Sequence, residues 1–156
     1  MDMHIRRRVH AEPDIIFELA ASVEHWPRIL PHYRWVRILG NNAAGRRTVE
    51  MAARRDVVGS VGFPLRWTAI QTIDPISHRV EFEHIRGVTR GMQVAWTIQR
   101  DAQSGVLVQI RHVFNPAWGV PEILVRQIVG EYFVNGVARR TLGILGNLAE
   151  TRTKDA

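Results

Sequence analysis

Cysteine is absent from all 156 residues, which excludes disulfides and thiolate metal sites. A reducing compartment fits that absence, and a cytoplasmic location is the expectation. Lysine is nearly absent too: Lys154 is the only one, and every other basic residue is arginine. No apolar run follows the arginines of "MDMHIRRRVHAEP", so the N-terminus does not read as a secretory signal. No uncharged stretch reaches the length of a membrane span. The longest apolar segment, residues 120–150, is cut by Arg126, Glu131, Arg139 and Arg140, so stable membrane insertion is not expected. The seven histidines form no HxH or HExxH pair, and neither a metal nor another cofactor is expected. G-x-S-x-G, P-loop and GxGxxG patterns are missing, which leaves nucleophilic hydrolysis and nucleotide binding without support.

What is present suits a soluble globular chain of one domain, 46% hydrophobic and 23% charged. That domain is expected over residues 1–151, with 152–156 as a flexible tail. The net charge of +6 could mark an anionic partner. The arginines are scattered as singles and pairs without a nucleic-acid motif, so no nucleic acid is expected as partner. A GC-rich genome accounts for arginine in place of lysine.

Apolar spacing and turn chemistry divide the chain. "HIRRRVH" reads as a short edge strand. "AEPDIIFELAASV" predicts an amphipathic helix, with Pro13 in its first turn and its end near Trp26-Pro27. A second helical turn fits Arg28–Leu30. Neither a helix nor a strand should run through "EHWPRILPHYRW", because Pro27 and Pro31 break it. Six strand-like runs follow, "YRWVRILG", "RTVEMAARRDV", "LRWTAIQTI", "RVEFEHI", "MQVAWTIQR" and "VLVQIRHVFNP", joined by turn residues. They argue for a curved antiparallel meander, seven strands with the first. Residues 119–151 carry helical apolar spacing through Leu124, Phe133, Val137, Leu142 and Leu145; as one helix they would span about 50 Å. The fold class is therefore α+β, a curved seven-stranded antiparallel sheet around a long C-terminal helix, with two short helices after strand 1. A sheet gripping one helix leaves a gap, and an aromatic-lined gap is a ligand pocket.

The order of elements, with "VEHWPRILPHYRWVRIL", "RWTAIQTIDP", "EFEHIRGVTRGMQVAWTI" and "VQIRHVFNP" before the long helix, resembles the START-like (SRPBCC) helix-grip superfamily. Within it, the chain is similar to the polyketide cyclase/dehydrase group that includes the aromatase/cyclases. The resemblance implies that Trp26 and Tyr33 look into an internal cavity from its rim. It also implies that Trp67, Gln71, Met92, Trp96 and His112 line the interior. One departure stands out. Where the aromatase/cyclases carry an arginine, this chain has Gln71, and the serine of that strand is replaced by Ala69. A buried guanidinium would hold an enolate oxygen; glutamine brings no charge.

Strand alternation supports the same list. Trp67, Ala69 and Gln71 share a face, as do Met92, Val94 and Trp96, and Ile110, His112 and Phe114. If Phe82 faces in, so does His84. Catalytic candidates are Tyr33, His112 and Gln71. Ligand-binding candidates are Trp26, Trp67, His84, Arg90, Met92, Trp96 and Asn135. Each has a plainer reading beside the functional one. Tyr33 is a general acid or a rim tyrosine bonded to backbone. His112 is a proton shuttle or a core histidine satisfied by a neighbour. Arg90 is an anion clamp or a solvated turn residue. Trp67 and Trp96 are stacking platforms or simple core. The function expected is binding of a hydrophobic polycyclic or polyketide-type molecule in an internal cavity, with cyclisation or dehydration. The alternatives are non-catalytic carriage of a lipid or isoprenoid quinone, and a basic adaptor for RNA or an acidic membrane face. The oligomeric state stays open between monomer and homodimer.

Overall fold

A computed structural model describes residues 1–55, 63–116 and 119–155. The ends of the expected "VGSVGFP" and "AWGVP" connections therefore lie partly outside the described residues. The order of elements begins with β1 (Asp2–Val9), α1 (Pro13–Ala21), a 3-10 turn (Val23–His25) and α2 (Trp26–Ile29). The meander follows: β2 (Tyr33–Ala43), β3 (Arg46–Arg55), β4 (Phe63–Asp74), β5 (Arg79–Arg86), β6 (Gln93–Arg100) and β7 (Val106–Val113). The chain ends in α3 (Glu122–Val125), a π-helical stretch (Arg126–Ala138) and α4 (Arg139–Asp155), which run on without a break.

All seven strands form one antiparallel sheet in the order β1-β7-β6-β5-β4-β3-β2. The first strand pairs with the last, Asp2 opposite Val113 and Val9 opposite Val106. The chain therefore starts at one edge, crosses the open side of the sheet through α1 and α2, and returns strand by strand from the other edge. Period-2 alternation puts one face of most strands against the helices. On β7, Val106, Val108, Ile110 and His112 are buried while Leu107 and Arg111 are exposed. The hydrophobic core fills the space between this concave face, α1 and the C-terminal helix.

Three local expectations are corrected. The first helix stops at Ala21, because Ser22 leaves helical geometry while its N–H bonds the Glu18 carbonyl. The expected second helical turn is present but starts earlier, as α2 over Trp26–Ile29 rather than Arg28–Leu30, and Pro27 sits in its first turn, where its missing N–H costs nothing. The expected tail is instead helix as far as Asp155, and Thr153 accepts a hydrogen bond from the Glu12 backbone N–H at 3.4 Å.

The C-terminal helix is wound in two ways. Residues 126–138 are π-helical, a rare winding that is usually confined to one turn and often sits at functional sites. Gly130 and Gly136 lie within it, where weak helix propensity makes departure from α winding least costly. This stretch buries Val129, Phe133, Val134, Val137 and Ala138, whereas Leu124 before it is exposed.

Candidate ligand cavity

The cavity lies between the concave face and the π-helical stretch. The sheet supplies Tyr33, Met51, Trp67, Phe82, His84, Val94, Trp96, Ile110 and His112, α2 supplies Trp26, and the helix supplies Phe133, Val137, Ala138 and Thr141. No arginine, lysine, aspartate or glutamate is among these lining residues. Its open volume is about 40 Å³, room for a few water-sized groups at most.

The rim stretch explains its own composition. The Trp26 indole N–H donates to the Leu19 carbonyl at 2.9 Å, which ties α2 back to α1. Its ring meets Tyr33 edge-on at 5.0 Å and tilts against Trp96 at 6.1 Å. Tyr33 in turn meets Trp67 at 6.1 Å, and Trp67 meets Phe133 of the helix edge-on at 4.8 Å. The aromatic bodies thus form a connected wall, while the polar tips are spent on backbone or aimed inward.

The Tyr33 hydroxyl is hydrogen-bonded to Thr141, and burial pushes its pKa well above the ordinary value. Thr141 donates to the Val137 carbonyl at 2.8 Å, so its oxygen accepts from Tyr33. The same oxygen stands 2.8 Å from His32 Nε2. The bland and the functional readings of Tyr33 therefore meet: it lines the cavity and is held by a helix side chain.

Two histidines face the cavity. His84 stacks flat on Trp67, with centroids 5.8 Å apart and planes 2° apart, and its Nδ1 lies 2.7 Å from the Thr89 hydroxyl. That contact depends on the turn after β5. Gly87 sits at φ +102°, and a Cβ there would stand 2.6 Å from the Arg66 carbonyl oxygen. Burial, with the nearby His112, drives the His84 pKa down to about 3. His112 is also buried, and burial lowers its pKa to about 4. Its Nδ1 has no hydrogen-bond partner among the described residues. Both imidazoles are uncharged at neutral pH.

Of the sequence candidates, Trp26, Tyr33, Trp67, His84, Trp96 and His112 come together on this cavity. Four do not. Gln71 is fully buried, but its Nε2 donates to the Ala21 carbonyl at 2.8 Å and its Oε1 accepts from Arg47 Nε at 2.6 Å. Its amide is used up joining the sheet to the end of α1, away from the lining. Met92 is buried at the foot of the β5–β6 turn, where its carbonyl accepts from the His84 N–H. Arg90 is exposed on that turn. Asn135 is exposed on the outer side of the helix and accepts from Arg139 Nε at 3.0 Å. Sequence reasoning missed Thr141, Thr89 and Phe133 as site residues. Phe133 had a signal, its place in the apolar spacing of the helix; a threonine that turns inward has none.

Among the described residues no group of histidines and carboxylates could hold a metal ion, and no helix is long and apolar enough to cross a membrane.

Comparison with known proteins gives the architecture a family. The chain is 28% identical over 145 residues to the granaticin polyketide synthase bifunctional cyclase/dehydratase of Streptomyces violaceoruber. That alignment takes in 92% of this chain but 42% of the relative, so the chain spans well under half of that protein's length. The crystal structure of the Zhui aromatase/cyclase from Streptomyces sp. R1128 superposes with a TM-score of 0.78 at 19% identity, covering 97% of this chain and 94% of that one. A START superfamily protein from Mycobacterium smegmatis superposes with a TM-score of 0.65 at 17% identity, covering 99% and 97%. At such identities these structures share the fold. The sequence pattern of the family described as polyketide cyclase/dehydrase and lipid transport matches residues 9–139, from the end of β1 into α4, and the chain belongs to that family.

Proposed function

We propose that the cavity holds a hydrophobic, ring-bearing molecule of polyketide type and that the chain promotes its cyclisation or dehydration by proton transfer. The observation that carries this reading is one desolvated chamber that joins three indole rings to a buried imidazole with an unpartnered Nδ1. Aromatic faces hold a flat ligand by stacking and area burial, and the few polar atoms orient it. His112 is an uncharged base at neutral pH, kept from water. It takes an acidic proton from a carbon between two carbonyls, and the Tyr33 hydroxyl, turning from Thr141, donates to the enolate oxygen that forms. The cyclase/dehydratase named among the relatives supports the reaction class. The open 40 Å³ is far below the roughly 300 Å³ of a small-molecule site, so the wall must give way on binding. The π-helical stretch is the element suited to that, because its winding is less favourable than the α form it can relax toward.

One observation favours a second reading, non-catalytic carriage of a lipid or quinone. Among the described residues no cation lines the cavity, so an enolate would form without a charged partner. A single experiment separates the two. Purified protein incubated with a reactive poly-β-ketone should shift the spectrum of cyclised products. His112→Phe should remove about 100-fold of that acceleration while native mass spectrometry still detects bound ligand. Bound ligand with an unchanged product spectrum selects the carrier. If no apolar molecule is retained, whether added or co-purified from the host, both readings fail.

A further inference from the structure

We infer that the cavity selects uncharged phenols, with His112 Nδ1 as the atom that recognises the hydroxyl, and that it rejects carboxylates of the same shape. This rests on the reading of the cavity as a ligand site and goes on to name what that ligand must present.

Three observations carry it. First, among the described residues the lining contains no charged side chain, so an anion placed there would lose its water and meet no counter-ion. Neither Arg47 nor Arg90 supplies one: Arg47 bonds Glu24, Gln71 and Ala21, and Arg90 lies on an exposed turn. Second, the Tyr33 and Thr141 hydroxyls and His84 Nδ1 are already committed within the protein. Tyr33 bonds Thr141, Thr141 bonds Val137, and His84 Nδ1 bonds Thr89. His112 Nδ1 is the exception, fully buried and unpartnered among the described residues. Leaving such an atom without a bond is costly, and a ligand that supplies the bond recovers that cost. Third, a phenolic hydroxyl both donates and accepts, so it serves Nδ1 in either tautomer of the ring. A carboxylate only accepts, and it could engage the protonated Nδ1 only while unpaired in an apolar wall. The low pKa of His112 removes the remaining escape, because the ring does not become a counter-ion near neutral pH.

Equilibrium dialysis at pH 7 with 2-naphthol, 2-naphthoate and naphthalene tests the inference. Expected is binding of 2-naphthol about 100-fold tighter than 2-naphthoate and about tenfold tighter than naphthalene. His112→Phe should bring 2-naphthol down to the level of naphthalene and leave naphthalene unchanged. His112→Asn, which keeps a polar atom close to the place of Nδ1, should restore part of the preference. Circular dichroism establishes that both variants are folded. Equal binding of naphthoate and naphthol overturns the charge selectivity, and equal losses of naphthol and naphthalene in His112→Phe overturn the role of Nδ1. Failure of all three compounds to bind overturns the underlying ligand-site reading itself.

Discussion

Gln71 on β4 and His112 on β7 are both buried polar residues on inward faces of one sheet, and their surroundings give them opposite duties. The Gln71 amide is satisfied at both ends, by the Ala21 carbonyl and the Arg47 guanidinium. Gln71→Leu breaks both contacts and should cost about 1–3 kcal/mol of stability in urea denaturation, with ligand affinity unchanged. His112→Phe removes a buried atom that has no partner. It should leave stability unchanged or raise it by about 1 kcal/mol, while the hydroxyl preference is lost. The reverse pattern, with stability resting on His112 and affinity on Gln71, would show that the two roles are assigned the wrong way round. No argument from strand alternation separates these residues. Both point inward, and only the reach of α1 to one of them decides which is available.

At the level of elements, the C-terminal helix is fastened at one end and loosely wound at the other. Arg7 of β1 reaches under α4 and donates to the Gly143 carbonyl at 2.6 Å, to Asn147 at 2.6 Å and to Glu150 at 2.9 Å. Gly146 makes room for it, since a Cβ there would stand 2.8 Å from Arg7 Cζ. Gly143, three residues earlier, faces open space. Gly143→Ala should therefore raise stability by about 0.5–1 kcal/mol through helix propensity alone. Gly146→Ala should lower it by about 1–2 kcal/mol, because displacing the guanidinium outweighs the same propensity gain. Thermal melts of the two variants check this, and parallel shifts would remove Arg7 as the clamp. The edge strand β2 carries three breaks in its register with β3. Such bulges twist an edge away from pairing with another chain, even though Leu39 there is 54% exposed.

For the molecule as a whole, many of the arginines are tied into ion pairs. Arg7, Arg8, Arg47, Arg79, Arg100, Arg111 and Arg126 each meet a carboxylate, in mostly exposed pairs of the kind that contribute about 0–1 kcal/mol each. The pH response comes instead from the interior. His84 and His112 have folded pKa values depressed to about 3 and about 4. Above the unfolded value near 6.5 both states are neutral and stability is full. As pH falls below 6.5 the unfolded chain binds protons that the folded chain cannot, so stability declines by about 1.4 kcal/mol per histidine per pH unit until the folded values are reached. Between pH 7 and pH 5 the loss should be roughly 4 kcal/mol by urea denaturation, and about half that in His112→Phe. A flat profile over that window would mean that the two rings are not held away from water. Local periodicity and turn chemistry suffice to read the seven strands, their inward faces and the terminal helix, because those are short-range properties of a chain with one apolar core. The aromatic cavity is legible in a different way: alternation groups Trp67, Trp96 and His112 with their face-mates, and puts His84 with Phe82, but it is the family resemblance that turns Trp26, Tyr33, Trp67, Trp96 and His112 inward. What only the tertiary structure decided is which inward polar groups are consumed and which are left over. Gln71 is taken by α1 and Tyr33 by Thr141, while His112 Nδ1 is left without a partner among the described residues. Those outcomes depend on contacts between residues far apart in the chain, which no local pattern encodes.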